Sequence, residues 1–144
     1  MKHFIASVQY EKDLDNGQTK QVTEQYLVQD ETISAAEARV VEELTPFING
    51  EFNVTEMKSK RYAEIILNDE YGTAYFFNIK SEEIIHDDVS GKEKRKTSNT
   101  IVRADYVESA LHSFEEYYDN AINGYGILSI TRTPIIDYYA AKAE

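Results

Sequence analysis

The chain of 144 residues has no cysteine, no tryptophan and only two prolines. Without cysteine there is no disulfide, no thiolate metal ligand and no cysteine nucleophile. No apolar run reaches the roughly 18 residues that a membrane-spanning helix needs. The opening Met1-Lys2-His3-Phe4-Ile5 lacks the long apolar stretch of a secretion signal. A cytoplasmic protein with no membrane partner is therefore expected. Nucleotide and nucleophile signatures are missing as well: no G-x-x-x-x-G-K-[ST], no G-x-G-x-x-G, no G-x-S-x-G and no H-E-x-x-H. Gly124-Tyr125-Gly126 is too short for a nucleotide loop, and Glu42-Glu43 and Glu115-Glu116 read as solvated helix faces. No enzyme and no cofactor are expected.

What is present suits one compact domain spanning 1–144. Hydrophobic residues make up 42%, enough for a core, and the 28% charged fraction is ordinary for a globular chain. The net charge is −11, from 26 acids and 15 bases, and it is spread over both halves. Residues 1–72 hold 14 acids and 7 bases, and 73–144 hold 12 and 8. Such a field slows approach to nucleic acid and to anionic membranes without forbidding a local basic patch.

The pattern of elements repeats. Phe4, Ala6, Val8 and Tyr10 alternate as a half-buried strand does, Asp15-Asn16-Gly17 supplies a turn, and Val22 to Val28 returns. Ser34-x-x-Glu37 reads as a capping box opening a helix that Pro46 ends near Leu44 or Thr45. Ile48-Asn49-Gly50 stops the chain, Phe52 and Val54 form a third strand, and Tyr62 to Leu67 a fourth. The order then recurs. Tyr75, Phe77 and Ile79 begin a strand that continues through Ile85, Asp87 to Lys96 forms a charged hairpin loop around Gly91, and Thr97 to Arg103 returns. Asp105-x-x-Glu108 caps a helix with the apolar stripe Val107, Ala110, Leu111, Phe114, Tyr118 and Ile122. Ile122-Asn123-Gly124 stops it, Ile127 to Thr131 is a strand, and Pro134 ends that strand or marks an edge. The expected architecture is α+β: two tandem β-β-α-β units, pseudo-repeats 2–70 and 73–139. They share one core, with mostly antiparallel sheet and the helices on one face. The offset drifts from 71 at the helix caps to 74 at the Ile-Asn-Gly triplets.

One basic run stands out. Lys92, Lys94, Arg95 and Lys96 lie beside Thr97, Ser98, Asn99 and Thr100, and cations with hydroxyls and amides suit phosphate. Lys58, Lys60 and Arg61 form a second group. The competing reading of the first run is a hydrated loop offsetting Glu82, Glu83, Asp87 and Asp88. His86 with those acids has metal-ligand residue types but no metal-site spacing. Eleven tyrosines offer rings for stacking or for interfaces, with Tyr125 the candidate stacking partner.

Tyr10-Glu11-Lys12, Lys20 to Val28, Ala36-Glu37-Ala38-Arg39, Gly50 to Thr55 and Pro134-Ile135-Ile136-Asp137 together resemble an uncharacterised family of short proteins from gut bacteria and their phages. The resemblance implies small size, an intracellular setting and a phage or mobile-element origin, and no activity. The function expected is non-catalytic binding of an anionic ligand, single-stranded nucleic acid or a nucleotide-like molecule, through the basic hairpin loop. The alternative is an acidic protein-interaction module, such as a phage-borne inhibitor acting on a host protein, or an oligomeric scaffold. Exposed sheet edges point to a homo-oligomer.

Overall fold

A computed structural model describes residues 1–67, 75–118 and 125–142. Its class is mixed α+β, mostly sheet, with two helices and two sheets. The chain divides into two compact units, Met1–Arg61 with Pro134–Glu144, and Tyr62–Thr133.

The first unit opens with a long hairpin, β1 (Lys2–Asp13) and β2 (Thr19–Asp30), paired antiparallel along their full length. Gly17, at φ +81°, supplies the left-handed turn residue. Helix α1 (Ile33–Leu44) follows, then β3 (Phe52–Lys60) antiparallel to β1. The fourth strand comes from the far end of the chain: β8 (Ile135–Tyr139) pairs parallel with β2, giving the order β3-β1-β2-β8. The second unit takes β4 (Glu64–Leu67), β5 (Tyr75–His86), β6 (Glu93–Ala104), α2 (Val107–Tyr117) and β7 (Tyr125–Arg132). Its order is β4-β6-β5-β7, with the β4–β6 pairing parallel and the others antiparallel.

Strand for strand, the two sheets have the same plan. β1, β2, β3 and β8 correspond to β5, β6, β7 and β4. The antiparallel pairs slip register at matching points, Ser7/Val8 against β3 and Lys80/Ser81 against β7. The strand after each β-β-α-β run crosses to the other unit, so β4 belongs to the second sheet and β8 to the first. Strand β7 ends at Arg132, two residues before Pro134, and edge strand β8 begins at the residue after it.

The offset narrows to 73–74 once the true caps are known. Thr32 is the N-cap of α1. Its backbone is still extended (φ −131°, ψ 160°), and its hydroxyl accepts from the Ala35 amide at 3.1 Å. Ser34 thus sits inside the first turn, and the Ser34-Glu37 capping box does not form. The N-cap of α2 is Tyr106, with no side-chain cap bond, and Asp105 lies one residue outside. Thr32 and Tyr106 are 74 apart, as are Ala36 and Ala110, and Val28 and Val102. The Ile122-Asn123-Gly124 triplet and Asn68 to Gly72 lie outside the described residues.

Among the described residues, one cluster of buried side chains lies under the helix of each unit. In the first unit Phe4, Ala6, Val8, Tyr26 and Val28 on the sheet meet Ala36, Val40 and Leu44 of α1. The spacing i, i+4, i+8 puts these three on one stripe. In the second, Phe77, Ile79, Val102 and Ala104 meet Ala110 and Phe114 of α2. A fully buried Val, Leu or Phe contributes about 1.5–3 kcal/mol, so these stripes fix both helices. Tyr10 donates to Glu24 across the first hairpin, which holds its phenol up to about 12, with burial adding to the shift. No described helix is long and apolar enough to cross a membrane.

Candidate ligand cleft in the second unit

Antiparallel register dictates which side chains of the β5–β6 hairpin can act together. Strand β6 begins at Glu93, so only Lys92 of the basic run lies in the loop; Lys94, Arg95 and Lys96 are on the strand. The long pairing extends the ladder to His86–Glu93 and shortens the turn to 87–92. That turn is closed by Asp87, whose carboxylate accepts from the Val89 amide at 3.0 Å and the Ser90 hydroxyl at 2.8 Å. Both bonds hold its pKa below the usual carboxylate value, the hydroxyl foremost.

On a strand, neighbours point to opposite faces. Lys96 lines a cleft with Phe114 of α2, so it lies on the helix-covered face, and Lys94 shares that side. Arg95 points the other way, its Nη1 2.7 Å from the Glu82 carboxylate. All four cations are exposed; Lys94 and Lys96 lie on one face of β6, Arg95 on the other, and Lys92 in the turn. Lys58 and Lys60 are exposed on edge strand β3, Lys58 3.4 Å from Glu56, and Arg61 follows. These three belong to the first unit and the run 92–96 to the second.

The structure does bring together Lys96 and Tyr125. Both line a cleft of about 250 Å³ with Ala63, Ser81, Glu83, Ser98, Phe114 and Tyr118. Tyr125, Glu83 and Lys96 form one row across β7, β5 and β6; Ile127, Ser81 and Ser98 form the next. Phe114, buried at 2% exposure, sits with Tyr118 at 4.7 Å between ring centroids and meets the Tyr125 ring edge-on at 5.5 Å. The cleft thus has an aromatic wall, a hydroxyl-bearing floor, and a cation beside a carboxylate.

The matching positions of the first unit are built differently. Its corresponding rows are Phe52, Tyr10 and Val22, then Val54, Val8 and Glu24. Leu44 of α1 stands where Tyr118 stands, and Phe52 and Val54 pack on the core. Val8 is fully buried where the second unit has Ser81. Apart from the Tyr10–Glu24 pair, the first unit fills these positions with hydrocarbon, where the second places Lys96, Ser81, Glu83 and Ser98.

Two other cavities lie in the first unit. One, about 490 Å³, is lined by Glu11, Asp13 and Glu51 with amide side chains and no cation, so it repels anions. The other, about 680 Å³, holds Arg39 and Lys142. Arg39 is committed to Glu43 and to the Ala140 carbonyl, both at 2.8 Å, and Lys142 to Glu42 at 2.6 Å.

Sequence reading missed Ser81, Glu83, Ser98, Phe114 and Tyr118 as a group. The signal was the alternation 79/81/83 facing 96/98/100, legible only after the hairpin is set in register. With this geometry in hand, the comparisons place the chain. It belongs to the family DUF4494, a domain of unknown function, whose model matches residues 2–141. No curated protein and no solved structure matches it.

Proposed function

We propose that the protein is a non-catalytic binding protein whose ligand is a small anionic molecule carrying a planar ring, nucleotide-like in its chemistry, held in the cleft of the second unit. The observation that carries this is the placement of Lys96 and Tyr125 in one cleft, at positions where the first unit has Val22 and Phe52. Lys96 meets the anion, Tyr125 and Tyr118 contact the ring, and Ser81 and Ser98 donate to the remaining acceptors. Division of the basic run over two faces favours a small ligand over single-stranded nucleic acid, which a continuous cationic groove would track. Titration calorimetry with nucleoside monophosphates and aromatic carboxylates tests the reading. Binding that falls about tenfold or more in Lys96→Ala supports it; a flat titration with every compound sinks it.

Matching strand order, register slips and offsets also support an internal duplication with exchanged final strands, in which the second copy carries the ligand. The interaction-module reading draws on the charge of −11 and on exposed Tyr106, Tyr117 and Phe47, side chains suited to a partner surface. Light scattering across concentrations tests its homo-oligomeric form, and a strict monomer counts against it.

A further inference from the structure

Lys96 does not stand alone in the cleft. Glu83 is its direct cross-strand partner, and such pairs carry their Cβ atoms roughly 5 Å apart on one face. A simple anion drawn to Lys96 therefore also meets a carboxylate at close range, a repulsion that offsets much of the attraction. A ligand with a cation and an anion a few ångströms apart matches the charges of both groups. The two other units of recognition agree with this. Ser81, only 9% exposed, and Ser98 lie two residues from Glu83 and Lys96 on their strands and present hydroxyls that either donate or accept. Phe114, Tyr118 and Tyr125 present an aromatic wall on the same side. At about 250 Å³ the cleft lies below the roughly 300–1,000 Å³ of sites for drug-sized ligands, which limits the occupant to about one ring.

We infer that the cleft selects a single-ring aromatic zwitterion, the chemistry of a free aromatic α-amino acid, with its carboxylate on Lys96, its ammonium on Glu83 and its ring against Tyr118 and Tyr125. This rests on the binding reading above and narrows its ligand class. Charge on both sides of the pair, not cation alone, then sets specificity.

The test is a calorimetric titration of the full chain with L-phenylalanine, N-acetyl-L-phenylalanine, phenethylamine and uridine monophosphate. It is repeated on Glu83→Gln and Lys96→Ala, with thermal melts confirming that both variants fold. Glu83→Gln keeps the shape of the side chain and removes only its charge. The expected result is that L-phenylalanine binds about tenfold or more tightly than the N-acetyl compound, which keeps the anion and lacks the cation. That preference disappears in Glu83→Gln, where the amino acid binds more weakly and the N-acetyl compound, freed of the opposing carboxylate, binds no more weakly than before. If the N-acetyl compound or the nucleotide binds the unaltered protein as tightly as the amino acid, the zwitterion inference is wrong and the anion-binding reading stands. Phenethylamine binding as tightly as the amino acid overturns both, because Lys96 then takes no part. No binding by any compound also overturns both.

Discussion

At the residue scale, the second unit carries a buried imperfection. Thr100 is 1% exposed, and its hydroxyl has no hydrogen-bond partner among the described residues. It faces Ile79 on one side and Glu64 on the other in the ladder. The matching residue of the first unit, Tyr26, is buried by stacking on Tyr139 at 5.8 Å between nearly parallel rings. A buried hydroxyl without a partner costs about 1–3 kcal/mol of desolvation, and an apolar group of the same shape removes that cost. Thr100→Val is therefore expected to stabilise the protein by about 1 kcal/mol, seen as a higher urea midpoint at an unchanged slope. The exposed bridge between Arg95 and Glu82 is the opposite case: it is short at 2.7 Å, yet hydrated, and such pairs contribute about 0–1 kcal/mol.

At the element scale, the helices differ at one end. Thr32 caps α1 through its hydroxyl, and Tyr106 leaves the equivalent donors of α2 to other partners. Thr32→Ala is expected to cost about 1 kcal/mol, whereas Ser34→Ala changes stability by less than about 0.5 kcal/mol. The converse holds in α2, where Tyr106→Ser installs the missing acceptor on an exposed position and gains about 0.5–1 kcal/mol. Chemical denaturation of the three variants checks all of this. The same caps show what the sequence made legible. Alternation in Phe4 to Tyr10 and Tyr75 to Ile79, and the stripe through Ala110 and Phe114, located strands and helix directly, because periodicity is a local property. Ser34-x-x-Glu37 misled, since a second hydroxyl two residues earlier was free to take the cap. Strand β8 was illegible because its partner, β2, lies more than a hundred residues upstream and no local pattern encodes a parallel pairing. The cleft was half visible: Lys96 and Tyr125 were singled out by charge and ring. Glu83 and Ser81 were assigned to solvation or passed over, because seeing them together requires the register of two strand pairs.

At the scale of the whole molecule, the first sheet takes its last strand, β8, from residues that follow the whole of the second unit. Tyr139 stacks on Tyr26, Ile135 is 5% exposed, and the residues after β8 are tied back: Ala141 donates to Gln29 at 3.2 Å, and Lys142 meets Glu42. Removing everything beyond Thr133 is expected to destabilise the first unit by about 2–4 kcal/mol from the lost burial of Ile135 and Tyr139. Amide exchange in Gln25–Val28 rises as β2 becomes an edge, while β5 and β6 keep their protection. Uniform loss of protection in both hairpins would contradict the division into units.

The late position of β8 in the chain also sets an order of events during synthesis. Strands β1, β2 and β3 leave the ribosome early, but β8 emerges only after the entire second unit has been made. Until then β2 presents an unpaired backbone rim, the kind of surface on which nascent chains associate wrongly. The β1–β2 hairpin, closed through twelve matched residue pairs, forms from neighbouring sequence alone. It gives the waiting unit a framework on which the final strand completes the sheet.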